Sequence, residues 1–269
     1  MGKVIACVNE KGGVAKTTTV KNLSIGLAME GKRVLAIDLD PSCNLTSSIG
    51  IFDNDGDDIM SIFKVAQTFS DIPEEIGIIH HEEGIDFIPS TSKLHEYEKE
   101  LNSVMQREVI LRWYISSIRD KYDYVFIDCP AGLGVYTSNA LFAADSIIIP
   151  VEPQFLGAGA MQNVFGLVNQ IRRLNGTNAK PEILGILFTK VRINTNNDRE
   201  LIDYFKTEYK DKINIFNTYI PHSVRFSESD GEGKSIYAYS PKTSAAMTYG
   251  DLIKEFIALE ESDNSVSDR

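Results

Sequence analysis

The sequence is poor in the features that staple or anchor a protein. Cysteine occurs three times in 269 residues, as Cys7, Cys43 and Cys129. The count is odd and no two stand at a short spacing, which argues against a disulfide framework and against a cysteine-based zinc site. No apolar run approaches the ~20 residues that a bilayer-spanning helix needs. The start lacks the charged, apolar and small-residue succession of a secretory leader. The expectation is a cytoplasmic protein with no membrane attachment. Met1-Gly2 opens a myristoylation-like stretch, but Ala6 stands where Ser or Thr is required, and the segment reads as a buried strand. Positive charge is also short, with 27 Lys and Arg against 38 Asp and Glu and a net charge of −11. Taken alone, that balance disfavours nucleic acid as a partner. Residues 160 to 242 run the other way, with 12 Lys and Arg against 9 Asp and Glu, so a basic face on an acidic protein stays open.

What is present is an alternation of strand and helix patterns. Hydrophobic residues make up 43% of the chain, enough at this length to bury a core without staples. Val4 to Val8 is a short apolar run that ends in a glycine-rich loop. A helical pattern follows, with Val20, Leu23 and Leu27 on one face and Gly31 as its stop. Further strand candidates are Val34 to Ile37, Tyr124 to Ile127, Ser146 to Val151 and Ile183 to Phe188. Helical stretches lie near 106–120, 136–143, 157–174 and 197–209, and a last helix runs from about Ser244 to Leu259. Near-continuous apolar strands between helices predict an α/β fold, a doubly wound and mostly parallel twisted sheet with helices on both faces. Residues 51 to 102 are less regular, with Ile76 to Ile79 and Ile85 to Ile88 as short strands or a hairpin. With no repeat and no linker, residues 1–260 read as one domain and 261–269 as an acidic, disordered tail.

The segment Glu10-Lys11-Gly12-Gly13-Val14-Ala15-Lys16-Thr17-Thr18 follows a strand and opens a helix. That context suits a loop that cradles the phosphates of a nucleoside triphosphate with magnesium. Glycines let backbone N–H groups turn inward onto phosphate oxygens, and the helix N-terminus adds the positive end of its dipole. Lys16 would reach the β- and γ-phosphates, the Thr17 hydroxyl would ligate magnesium, and Thr18 would donate to the α-phosphate. The plain alternative is a glycine turn before a helix. Glu10 and Ala15 occupy positions where this kind of loop usually carries glycine. A Cβ just before the lysine strains a backbone shape that glycine adopts freely, so binding is expected to survive and hydrolysis to be slowed.

Two acidic segments complete the pattern. Asp38-Leu39-Asp40-Pro41 ends the second strand and Asp128-Cys129-Pro130 a later one. Ligands of open α/β sheets sit at the carboxyl ends of the strands, so both would face the phosphate loop. Asp128 suits holding a magnesium-bound water, Asp38 supporting the metal shell, and Asp40 positioning an attacking water. Taken alone each Asp could instead cap a strand-to-loop turn, a reading that the phosphate loop disfavours.

Lys11-Gly12-Gly13-Val14, followed by Lys16-Thr17-Thr18, resembles the deviant Walker A motif, whose mark is the additional lysine, here Lys11. Asp38 to Pro41 resembles that family's second motif, and Tyr122 to Pro130 its Walker B strand. Asn139-Ala140-Leu141 with Ala144-Asp145, Ile149-Pro150-Val151, and Ile220-Pro221 with Ser223 to Glu228 and Gly233-Lys234 are similar to the ParA/Soj branch of these P-loop ATPases. The resemblance runs from about residue 2 to 258. It implies an ATP hydrolase, slow and partner-stimulated, that forms a homodimer around two sandwiched ATP molecules with Mg2+. Lys11 would cross to the partner's phosphates and neutralise charge in the transition state. It also implies non-specific binding of double-stranded DNA by the dimer, a ParB-like partner, and association with the nucleoid. Thr189, Pro221 and His222 would contact the base. The family's basic residue after the late proline is replaced by His222, and another arginine position falls on Asn194. Lys190, Arg192, Arg199, Arg225 and Lys234 could substitute, since phosphate contacts need positive charge rather than one geometry.

Rival functions leave weaker marks. A MinD-like positioning ATPase needs a basic amphipathic C-terminal helix, whereas this chain has Glu260-Glu261-Ser262-Asp263. An electron-transfer ATPase needs cysteines placed to share an iron–sulfur cluster, and the three here are ill spaced. An ATP-gated binding protein with weak hydrolysis is compatible with Ala15. Asp53 to Asp58 hints at a calcium loop but has a misplaced glycine and Lys64 at its twelfth position. His80-His81 reads as a polar turn, because adjacent side chains point apart in extended chain. Gly157 to Ala160 reads as the opening of a helix at a dimer interface.

Overall fold

The structure, a computed structural model, describes residues 1–52, 54–68, 71–154, 157–176, 180–192, 195–209 and 212–267. Its first half runs β1 (Lys3–Cys7), α1 (Lys16–Met29), β2 (Val34–Asp38), α2 (Asn44–Ser48), α3 (Ile59–Gln67), β3 (Ile79–His80), β4 (Asp86–Ile88), α4 (Leu94–Leu101) and α5 (Ile110–Ile118). The second half runs β5 (Tyr124–Asp128), α6 (Val135–Ala143), β6 (Ser146–Val151), α7 (Gly157–Leu174), β7 (Glu182–Phe188), α8 (Asn196–Tyr209), α9 (Val224–Gly231), α10 (Ile236–Tyr239) and α11 (Ser244–Ser267).

The strands form one seven-stranded sheet in the order β3-β4-β2-β5-β1-β6-β7. All neighbours are parallel except the β3–β4 hairpin at one edge. The period of two sorts each strand between two cores. Val4, Ala6 and Val8 point to a core roofed by α3 to α8, while Ile5 and Cys7 point to a second core roofed by α1, α2, α10 and α11. Both faces are thus covered, which is why the central strands are apolar at every position rather than alternating.

β1 sits between β5 and β6; the chain runs from β1 to β2 on one side of it and crosses from β5 to β6 on the other. A loop leaving β1 therefore opens at the switch point of the sheet, where α/β folds bind ligands. Toward its far end α1 is drawn tightly onto α10 and α11. A Cβ built on Gly26 would lie 2.2 Å from Ile253 Cδ1 and 2.5 Å from the Tyr237 hydroxyl.

The irregular stretch 51 to 102 contains more order than its periodicity indicates. Asp58 caps α3 reciprocally, its carboxylate accepting from Met60 and Ser61 while the Ser61 hydroxyl accepts from the Asp58 N–H. Asp58 therefore serves as a helix cap, while Asp53 lies outside the described residues, as does Asn194. His80 and His81 do diverge, His80 toward Asp86 and His81 toward the Ile49 carbonyl. α11 runs to Ser267, beyond the Leu259 end read from the pattern. Among the described residues no helix is long and apolar enough to cross a membrane.

Candidate functional site

The loop between β1 and α1 is shaped from beneath by Asn9, which is buried. Its amide donates to Pro150 O at 2.7 Å, and its side-chain oxygen accepts from the Lys11 N–H at 2.9 Å. One residue thus ties the loop to the end of β6. The Glu10 carboxylate accepts from Asn163 on α7 at 2.7 Å, and its carbonyl accepts from Gly132 N. Val14 turns its side chain into the core and offers the loop only its backbone. Gly13 has φ 75° and Ala15 has φ 64°. Ala15 thus adopts the left-handed shape that the missing glycine would take freely, at a cost of about 1–2 kcal/mol. As the residue before α1 it supplies no side-chain cap, so the first N–H groups of the helix stay directed at the cleft.

Lys16 is buried, and its ammonium donates to Asn9 O at 3.2 Å and Lys11 O at 3.3 Å. The Thr17 hydroxyl donates to Asp128 Oδ2 at 2.7 Å. Asp128 Oδ1 is buried and has no hydrogen-bond partner among the described residues. Burial, then the nearby Asp38 charge, pushes the Asp128 carboxyl well above the usual carboxylate range. Asp38 is also fully buried, and desolvation lifts its pKa to about 6 against the pull of its donors. Those donors are the Asp40 N–H at 3.0 Å, the Thr46 N–H at 2.9 Å and the Thr46 hydroxyl at 2.7 Å. Two buried carboxyls with raised pKa values and one orphan oxygen form a place where a divalent cation would relieve an electrostatic penalty. No three His, Cys, Asp or Glu side chains converge as a complete metal cage among the described residues. That donor set fits a magnesium ion held largely by phosphate and water rather than a site built wholly from protein.

An open cleft of about 810 Å3 leads outward from this point. Gly12, Gly13, Ala15, Lys16, Thr17 and Thr18 line one end, Asp40 and α2 one flank, and Pro221, His222 and α9 the other. Asp40 Oδ1 accepts from Ser42 N at 2.8 Å, which steers its carboxylate over the turn into α2. Pro221 and His222 are bound to the chain after β7, through a Val191–Pro221 bridge and a His222 N–H bond to Val191 O.

Thr189 behaves differently from its neighbours. It is fully buried, and its hydroxyl donates to Val14 O at 3.0 Å, so it braces the phosphate loop while Lys190 lines the cleft. Lys190 pairs with Glu152 at 3.0 Å, and Lys11 donates to Gln154 at 2.7 Å. Gln154 in turn donates to Glu152 at 2.8 Å. Lys11 is therefore held within its own chain. Glu152, Gln154, Asn9 and Thr46 carry no motif signal; only a sheet order that puts β6 beside β1 brings the first three together. Burial pushes the thiols of Cys7, at the end of β1, and Cys129, just after β5, well above their ordinary value. Arg192, Arg199, Arg225 and Lys234 are exposed, and Arg225 is paired with Glu228 at 2.8 Å.

Comparison with known proteins agrees with this geometry. A family model described as AAA domain matches residues 2–183. The sporulation initiation inhibitor protein Soj of Bacillus subtilis (strain 168) is 38% identical over 96% of this chain and 99% of its own. The chromosome partitioning protein ParA of Caulobacter vibrioides (strain NA1000 / CB15N) is 33% identical over 96% of this chain and 95% of its own. Among solved structures, cobyrinic acid a,c-diamide synthase from Mycobacterium smegmatis with bound ATP analog and magnesium superposes with a TM-score of 0.81. It is 26% identical and covers 98% of this chain and 97% of its own.

Proposed function

The chain belongs to the ParA/Soj-type family of P-loop ATPases, and we propose on that footing that it hydrolyses ATP as a magnesium complex in a homodimer that partitions DNA. The observation that carries the reading is the Thr17–Asp128 pair at the tip of α1, with Asp128 Oδ1 buried and without a partner among the described residues. Thr17 would ligate magnesium through its hydroxyl, Asp128 would hold a metal-bound water, and Asp38, fixed by Thr46, would support the shell. Held by these residues, a magnesium ion would supply positive charge to the β- and γ-phosphates. Gly12 to Thr18 supply backbone N–H groups, and Lys16 exchanges its loop carbonyls for phosphate oxygens. Asp40 orients the water whose oxygen bonds the γ-phosphorus as the bridging bond to ADP breaks. Lys11 leaves Gln154 and reaches the partner protomer's phosphates. Pro221 and His222 border the base.

The names of the relatives support a partition role, and with it a ParB-like partner and non-specific contact with duplex DNA. Arg192, Arg199, Arg225 and Lys234 supply exposed positive charge for phosphate. The test is the size of the protein with ATP, ADP and no nucleotide, using Asp40→Ala to trap the triphosphate state. Dimers with ATP alone, and duplex binding that falls steeply with salt, are the expected outcome. A monomer under every condition would sink the reading.

A second reading, an ATP-gated binding protein with little turnover, is favoured by the left-handed Ala15. Phosphate release measured with and without DNA and a ParB-like protein separates the two.

A further inference from the structure

Lys21 takes no part in the phosphate site, yet it is the one lysine in α1 whose side chain has no exposure at all. It lies one turn beyond Thr17. An ammonium has three protons to donate, and here three acceptors receive them: Asp230 Oδ1, Lys234 O at 2.9 Å and Ser48 O at 3.3 Å. Ser48 is the last residue of α2, and Asp230 stands in the last turn of α9. The C-terminal ends of helices expose unpaired carbonyls and the negative end of the dipole, so a cation is favoured between two of them. Burial lowers the Lys21 pKa, and the Asp230 charge opposes that shift. A buried ammonium stripped of its partner is costly, which makes the pair a strong constraint on the elements that carry it.

Those elements frame the cleft. Thr17 and Thr18 come from α1, Ser47 and Ser48 from α2, and Val224, Ser227 and Asp230 from α9. α2 also carries Thr46, the holder of Asp38. The chain after α9 is tied to the same place by other contacts. Gly233 and Gly50 pass so closely that a Cβ on Gly233 would lie 2.6 Å from Gly50 Cα. Asn22 Oδ1 accepts from the Ile236 N–H at 2.9 Å.

We infer that Lys21 is a positioning residue for the nucleotide: its ammonium, with Asp230 as counter-charge, fixes α2 and α9 as the two walls of the cleft against the phosphate-loop helix. The inference rests on the ATPase reading above. Lys21 acts through the walls and touches none of the phosphate-binding groups, so its effect falls on affinity rather than on the chemical step.

The experiment is titration of Mg-ATP and Mg-ADP into the full chain and into Asp230→Asn and Lys21→Met, with single-turnover hydrolysis at saturating ATP. Both variants are expected to bind both nucleotides about tenfold more weakly, a loss of about 1.4 kcal/mol, with the hydrolysis rate constant within twofold of the parent. Asp230→Glu is expected to recover most of the affinity. If Lys21→Met fails to fold, Asp230→Asn, whose carboxylate is partly exposed, carries the decision. Unchanged affinity in folded variants, with only a lowered melting temperature, overturns the positioning role. So does a fall in the rate constant at unchanged affinity. Absence of nucleotide binding by the parent chain is a different failure, because it sinks the ATPase reading itself.

Discussion

The Thr17 hydroxyl and Asp128 Oδ2 lie 2.7 Å apart, and the other oxygen of that carboxylate is buried with no donor among the described residues. A polar atom left in this state is expensive, and a bound metal's water is the kind of donor that would satisfy it. Asp128→Asn keeps the shape and removes the charge. We expect the magnesium-dependent gain in ATP affinity to fall by about 10–100-fold, the usual consequence of losing a group that supports a metal shell. Titrations in magnesium and in EDTA measure it, and equal magnesium dependence in the variant would refute the assignment.

The Asp38 carboxyl makes the cleft pH-sensitive. Its folded pKa of about 6 lies above the ordinary 3.8, so between those values the folded state binds more protons than the unfolded one. Its contribution to stability is therefore greatest below the unfolded value and is lost as pH rises through about 6. Asp128 shifts in the same direction. The nucleotide-free protein should lose melting temperature between pH 5 and pH 7 relative to Asp38→Asn. Magnesium affinity should rise over the same range, because the ligands must shed their protons. Parallel melting curves of parent and variant would contradict this.

Ala15 carries a left-handed backbone with φ 64°. Ala15→Gly relieves that strain and also loosens the unfolded chain. The net gain should be roughly 0.5–1 kcal/mol. Urea unfolding reads it, and a variant less stable than the parent would mean that the strain is absent.

Gly26 faces Ile253 of α11 and Tyr237 of α10 at close range. An added methyl would meet Ile253 Cδ1 at 2.2 Å and the Tyr237 hydroxyl at 2.5 Å. Gly26→Ala gains helix propensity but overpacks the contact, and a loss of about 1–3 kcal/mol is expected. Denaturant unfolding decides the sign, and a more stable variant would show that Ile253 and Tyr237 yield without cost.

Much of the fold was legible because its strands are buried on both faces. Val4 to Cys7, Val34 to Ile37, Tyr124 to Ile127, Ser146 to Val151 and Ile183 to Phe188 all stand in the sheet, and a short apolar run bounded by turns is what a strand buried on both faces requires. α2, α9 and α10 were not legible. They are short, and tertiary contacts with α1 and with one another stabilise them more than any period of their own. α3 was missed although Asp58 and Ser61 form its capping box, because the preceding acidic run reads first as a turn.

The site divides along the same line. Lys11 to Thr18 declares a phosphate loop because the geometry is local: a strand, a turn with φ above zero and a helix tip lie within consecutive residues. Sequence alone also marked Asp38, Asp40 and Asp128 as groups at strand ends. What those carboxyls do is set by distance across the sheet. β2 and β5 pair in register at Asp38 and Asp128, which buries two charges together and raises both pKa values. The tertiary structure likewise turned Thr189 inward to Val14 and brought Lys21 to Asp230 across 209 residues of chain. Short-range order followed from residue type and spacing. The electrostatics came from which strand ends and helix ends the fold brought together, since charge interactions depend on separation and burial in space and not along the sequence.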